Sequence, residues 1–109
     1  MHWPFMRIAV AERSMEPALR PGDWLLAWRG LRRGRPPRIR PGQMVIARHP
    51  ARADFLLVKR ATAHRQDGWW LESDNSAAAG VVDSRSFGAV PAGLIEGVVL
   101  GRYWRERSR

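Results

Sequence analysis

Apolar residues along this chain fall in short runs separated by glycine, proline and polar clusters. Arg7–Val10 (RIAV) and Trp24–Trp28 (WLLAW) are the first two such runs, with Pro21-Gly22 turning the chain between them. Gln43–Arg48 (QMVIAR), Phe55–Ala61 (FLLVKRA), Trp69–Leu71 and Gly97–Trp104 (GVVLGRYW) follow. Each has the length and β-branched or aromatic content of a strand, and none sustains a helical period. Pro41-Gly42 and Asp67-Gly68 are further turn signals, the second of hairpin type. Ser73–Gly88 is rich in Asp, Asn, Ser and Gly and is expected to be a structured loop, and Pro91–Ile95 a helical turn. The pattern predicts a mainly β fold, a compact barrel or sandwich with little helix. Trp24, Trp28 and Trp69 lie in apolar runs and are expected in its core.

Length sets the scale of that fold. A chain of 109 residues supports one domain with one core, here spanning 1–109. Arg29–Arg40, polar and broken by Gly30, Gly34, Pro36 and Pro37, is expected to be a long mobile loop, and 105–109 a frayed basic tail. No apolar run is long enough to span a bilayer, and the N-terminal one is too short for a signal peptide, so a cytoplasmic location is expected.

Charge adds a partner question. The formal net charge is +9, which suits nucleic acid, an anionic membrane or an acidic protein. Most of the surplus lies in the 29–40 stretch (Arg29, Arg32, Arg33, Arg35, Arg38, Arg40) and at the C-terminus, where solvated segments account for it equally well. Cysteine is absent, which excludes disulfides and thiol chemistry, and His2, His49 and His64 show no metal-binding spacing. No metal and no cofactor is expected.

The candidate chemistry centres on two residues. Lysine occurs once, at Lys59, among 18 arginines. Arginine stays protonated in a protein, whereas a desolvated lysine can lose its proton. Strand alternation puts Lys59 on the face of Phe55 and Leu57, where its amine would be desolvated. Ser14, before Met15-Glu16-Pro17, is a nucleophile if a base takes its proton. Read alone, the serine suits a turn and the lysine an edge strand. Asp83 and Arg85, flanking Ser84, are positioned to form a charge-assisted pair that fixes their loop.

Four blocks, in this order, resemble the type I signal peptidases, a family of Ser–Lys peptidases similar in fold to the self-cleaving domain of SOS-type repressors. Ser14-Met15-Glu16-Pro17-Ala18-Leu19 is similar to the nucleophile box, and Pro21-Gly22-Asp23 to the strand box. Leu57-Val58-Lys59-Arg60 is similar to the box with the lysine base. Ser73-Asp74-Asn75 with Asp83-Ser84-Arg85-Ser86-Phe87-Gly88-Ala89-Val90-Pro91 is similar to the last, most specific box. The resemblance implies a serine endopeptidase with Ser14 as nucleophile and Lys59 as general base. It also implies oxyanion donation by the Ser14 backbone N–H, a supporting loop at Asp83, Ser84 and Arg85, and Met15 in the substrate cleft. The implied partner is a precursor protein held as an extended segment and cut after small residues to remove a leader or propeptide. Small size and the absence of an anchor are similar to the proteases that mature nickel-type superoxide dismutase.

The chain departs from that family at several positions. Glu12 and Arg13 stand where relatives carry a Ser or Gly pair whose first member assists the oxyanion. Val81 stands where a Ser or Thr holds the lysine, which leaves Ser76 as the expected substitute. Ser73 replaces a glycine, and Ala61-Thr62-Ala63-His64 stands in place of a Gly-x-x-Gly-Asp turn. Two other functions fit parts of the sequence. One is a non-catalytic basic β-domain for nucleic acid or an anionic membrane, which would also allow peripheral membrane contact. The other is a self-cleaving regulatory domain.

Overall fold

A computed structural model of the chain describes residues 3–32, 34–66, 68–78 and 80–105. The fold is mainly antiparallel β. Strands β1 (Phe5–Ala9), β2 (Trp24–Trp28), β3 (Met44–His49), β4 (Arg52–Arg65), β5 (Gly68–Glu72) and β6 (Ile95–Trp104) form one sheet in the order β1-β2-β6-β3-β4-β5. Each strand run read from the sequence has its counterpart. The largest difference is β4, which extends three residues before Phe55 and four beyond Ala61. It is long because it serves two partners in succession, β3 through Leu56–Arg60 and β5 through Arg60–Arg65.

The sheet is not closed into a barrel. β1 and β5 each have one strand neighbour and form its two edges. The sheet nevertheless curves, because Ile8 and Ala9 of β1 and Phe55–Val58 of β4 line one groove although three strands separate them.

Alternation divides the buried residues into two clusters. The first joins Val45, Ala47, Ala61, Trp69, Leu71, Ile95 and Val98 of the sheet to Val90 of the covering segment. The second joins Val10, Met15, Leu19 and Leu25, with Ile8, Met44, Val58 and Val99 against it. The first cluster anchors the segment after β5, and the second anchors the turn that carries Ser14.

Several expectations gain detail from the structure. The 73–88 segment contains one helical turn, α1 (Ser84–Phe87), because Asp83 caps it by accepting from the Arg85 N–H. The turn expected over Pro91–Ile95 is a 3-10 turn at Ala92–Leu94. The 29–40 connection is seated on the fold, with Gly30 and Pro37 buried and Ile39 packed against the first cluster. Arg105 is held rather than frayed, while 106–109 and Arg33 lie outside the described residues. Trp69 is buried and Trp28 half-buried, but Trp24 faces outward beside its Cα partner Trp104.

Gly68 shows why the covering segment lies where it does. Trp69 and Val90 exchange both backbone hydrogen bonds at 2.8 Å. A Cβ on Gly68 would stand 2.1 Å from the Val90 carbonyl oxygen, and its φ of +132° suits only glycine. The chain can dock on the start of β5 only because no side chain is there. The other half of the expected hairpin turn, Asp67, lies outside the described residues.

Candidate active site

Among the described residues Lys59 is the largest side chain to be almost completely buried, at 1% exposure. Its Cα partner on β3 is Val45, and Leu57 on the same face of β4 is buried as well, as the alternation predicts. Glu72 is opposite Arg60, so Ser73, the residue after β5, arrives beside Lys59. Lys59 Nζ donates to Ser73 Oγ at 2.8 Å. Burial pushes the lysine amine below its ordinary pKa. The charges of Glu12 and Asp83 oppose that shift, and the Arg85 charge adds to it. A lysine so placed is easier to deprotonate than one in water.

The partner of this amine is therefore Ser73. Ser76, expected to substitute at Val81, is exposed and borders a separate hollow with Gly80, Val81 and Arg85. The signal was present in the sequence as the serine at position 73, which stands where the resembled box has glycine, but the register that aims it at Lys59 is visible only in the folded sheet.

Ser73 is itself held from below. Its N–H donates to Asp83 Oδ2 at 3.0 Å. Asp83 also accepts from the Arg85 N–H, and the Arg85 guanidinium reaches both carboxylate oxygens, the shorter contact being 2.9 Å. Burial alone would raise the pKa of Asp83. The hydrogen bonds from Arg85 and Ser73 more than offset it and lower the carboxyl to about 2. Ser84, buried at 1% exposure, accepts from the Leu71 N–H at 2.8 Å and ties the same turn to β5. Asp83, Ser84 and Arg85 thus support the loop and do not line the groove.

Two residues of the same segment hold the serine. The Asn75 N–H donates to the Ser14 carbonyl at 2.7 Å, and Asn75 Nδ2 donates to the Arg13 carbonyl at 3.1 Å. The Asp74 N–H approaches Met15 Sδ at 3.4 Å. Asp74 is fixed in turn by Arg60, whose Nη2 stands 2.6 Å from Oδ2 and whose Nη1 donates to the Gly42 carbonyl. Asn75, Asp74 and Arg60 were not singled out from the sequence as functional, because their roles are contacts across 14 to 62 positions of chain.

Ser14 is 5% exposed and opens onto the groove between β1 and β4. Among the described residues its hydroxyl and its backbone N–H make no hydrogen bond. The hydroxyl can therefore meet a carbonyl in the groove, and the N–H can donate to the oxygen of that carbonyl. The structure brings Ser14 and Lys59 to the two ends of Ser73-Asp74-Asn75 without a direct hydrogen bond between them. Such bonds commonly tighten only when substrate is bound. Met15 is buried, lines the groove and packs in the second cluster.

The groove has a volume near 120 Å³, enough for small side chains. On the side of β4 away from β3, Leu56–Lys59 have no strand partner among the described residues, so their backbone is available to an extended segment. Among the described residues no cluster of three or more His, Asp or Glu is placed to hold a metal, and no helix is long and apolar enough to cross a membrane. No family model matches the chain, and no curated protein matches it significantly.

Proposed function

We propose that this protein is a serine endopeptidase that uses Ser14 and Lys59, in the manner of the signal peptidases its sequence blocks resemble. One observation carries the reading: the chain's only lysine is fully buried, its pKa is lowered by that burial, and it is held by Ser73 next to the segment that grips Ser14. A structural lysine normally keeps its ammonium in water. Burial of an amine with a lowered proton affinity suits a general base.

In the reaction, Ser14 Oγ attacks the carbonyl carbon of the bond to be cut while its proton passes to Lys59 Nζ. The carbonyl π electrons move to oxygen, and the Ser14 N–H stabilises the oxyanion. Collapse expels the amine, which takes the proton from Lys59 and leaves an acyl-Ser14 ester. Water then gives a proton to Lys59 and attacks the ester. The proton returns to Ser14 Oγ as the new carboxyl terminus departs.

The substrate is a precursor protein whose leader or propeptide lies extended along the free edge of β4. Small residues before the cut bond match the groove's size. The precursor of nickel-type superoxide dismutase is the specific substrate to try first. Cleavage of a propeptide-bearing precursor by wild type, with Ser14→Ala and Lys59→Arg both inert, is the expected result. Arginine keeps the charge but cannot act as the base. Wild-type cleavage by Lys59→Arg would sink the proposal.

Exposed aromatics favour a second reading, a basic surface for nucleic acid or an anionic membrane. Trp3, Trp104 and Trp24 are 67%, 50% and 39% exposed, and Arg102, opposite Leu25, is next to the Trp24–Trp104 pair in the β2–β6 ladder. Retention on single-stranded nucleic acid or on anionic vesicles at physiological ionic strength, by a protein that cleaves no precursor, would favour it.

A further inference from the structure

Glu12 precedes Ser14 by two residues and lines the same groove. The other groove walls are apolar, including Ile8, Val10, Met15, Phe55 and Leu57, and Arg13 is not part of them. Lys59 is buried and is not a wall residue either. Glu12 is exposed and makes no hydrogen bond or ion pair among the described residues. The groove therefore presents one formal charge, a carboxylate, beside the nucleophile.

The physics of that placement favours a cation. While the groove is open, water solvates the carboxylate at little cost. A segment lying in the groove displaces part of that water and lowers the local dielectric, which strengthens the attraction to a positive group and the repulsion of a negative one. An unpaired carboxylate under a neutral segment costs free energy that a basic side chain removes, so the group discriminates by both attraction and exclusion. Glu12 also lies near enough to Lys59 for its charge to act on the amine, which places the carboxylate close to the reacting centre.

We propose that Glu12 is a specificity-determining residue that selects substrates with a basic side chain at or beside the bond presented to Ser14. The inference rests on the peptidase reading and narrows its substrate class to precursors with a cationic cleavage region.

The test uses the full chain and Ala-rich peptides carrying arginine, norleucine or glutamate singly at each of the four positions around the cut bond. At one position or more, arginine should raise kcat/KM about five- to tenfold over norleucine, with glutamate cleaved more slowly than either. Glu12→Gln should bring the arginine preference close to one, and Glu12→Arg should turn it towards glutamate. No arginine preference in wild type, or one that survives Glu12→Gln, overturns the proposal and leaves the peptidase reading intact. Binding of the same labelled peptides to Ser14→Ala protein separates the two ideas. Charge-selective binding that depends on Glu12, without any cleavage by wild type, refutes the peptidase reading alone.

Discussion

Lys59 and Ser73 meet through a 2.8 Å hydrogen bond at the point where the β4–β5 ladder ends. The amine has little freedom around it, so its aim depends on this one hydroxyl. Replacing Ser73 with alanine should leave the fold intact and lower kcat about 10- to 100-fold with little change in KM, as loss of an orienting partner does. Ser73→Thr should recover much of the rate. Steady-state kinetics on the three proteins checks this, and an unchanged kcat in Ser73→Ala would remove the positioning role.

Lys59 is expected to cost stability. Its folded pKa lies below the ordinary 10.5, so between the two values the unfolded chain binds a proton that the folded chain does not. Stability should therefore rise with pH through that window, and below it the fold carries a buried ammonium. Lys59→Met should be inert yet more stable than wild type at neutral pH, by about 1–3 kcal/mol. Urea unfolding at neutral and alkaline pH measures both the gain and the loss of the alkaline slope. By the same protonation, activity should fall on the acid side, with an apparent pKa below 10.5.

Asp83 acts at the other end of the pH scale. With its carboxyl held at about 2 against an ordinary 3.8, it contributes about 2 kcal/mol that is fully present above the ordinary value and lost as pH falls through about 2. Asp83→Asn should be destabilised by a similar amount at pH 7. Its urea midpoint should converge on that of wild type towards pH 2. Activity should fall as well, because the one amide oxygen of Asn cannot accept from both the Ser73 N–H and the Arg85 N–H.

Asp23 and Arg105 join the turn after the nucleophile segment to the residue after β6. Asp23 is 1% exposed and receives two bonds from the Arg105 guanidinium, at 2.8 and 2.7 Å, and one from the Arg20 N–H. Arg105 holds the Asp23 carboxyl below its ordinary pKa against the opposing effect of burial. Arg105→Ala should lower Tm at neutral pH by stranding a buried carboxylate. The loss should shrink once acid protonates Asp23, and adding Asp23→Asn should restore part of it. Thermal melts of the single and double variants over a pH series would show this.

Gly68→Ala should be the most damaging small change in the sheet. The added methyl meets the Val90 carbonyl, and the backbone sits at positive φ, so the substitution should cost about 3 kcal/mol or more. Because Val90 belongs to the segment that carries Asp83, activity should fall along with stability. A Gly68→Ala protein with wild-type Tm would show that the segment docks elsewhere.

Local pattern was enough for the strands. Trp24–Trp28 has the same bounds in sequence and structure because an apolar run closed by a turn on one side and a Gly/Pro stretch on the other leaves few alternatives. Alternation also placed Lys59 correctly, since its neighbours two residues away are apolar. Trp24 was misplaced for a related reason: both faces of WLLAW are apolar, so the run alone does not say which side is covered.

Composition marked Lys59 as the only lysine among the arginines, and the resemblance of four sequence blocks to the signal peptidases set Ser14 and the Asp83-Ser84-Arg85 turn beside it. Only the tertiary structure decided that Lys59 leans on Ser73, that Asn75 and Arg60 hold the segment between lysine and serine, and that Glu12 faces the groove. These are pairings between residues distant in sequence. Strand register and sheet curvature set them, and both arise from how the whole chain buries its apolar residues rather than from any local run.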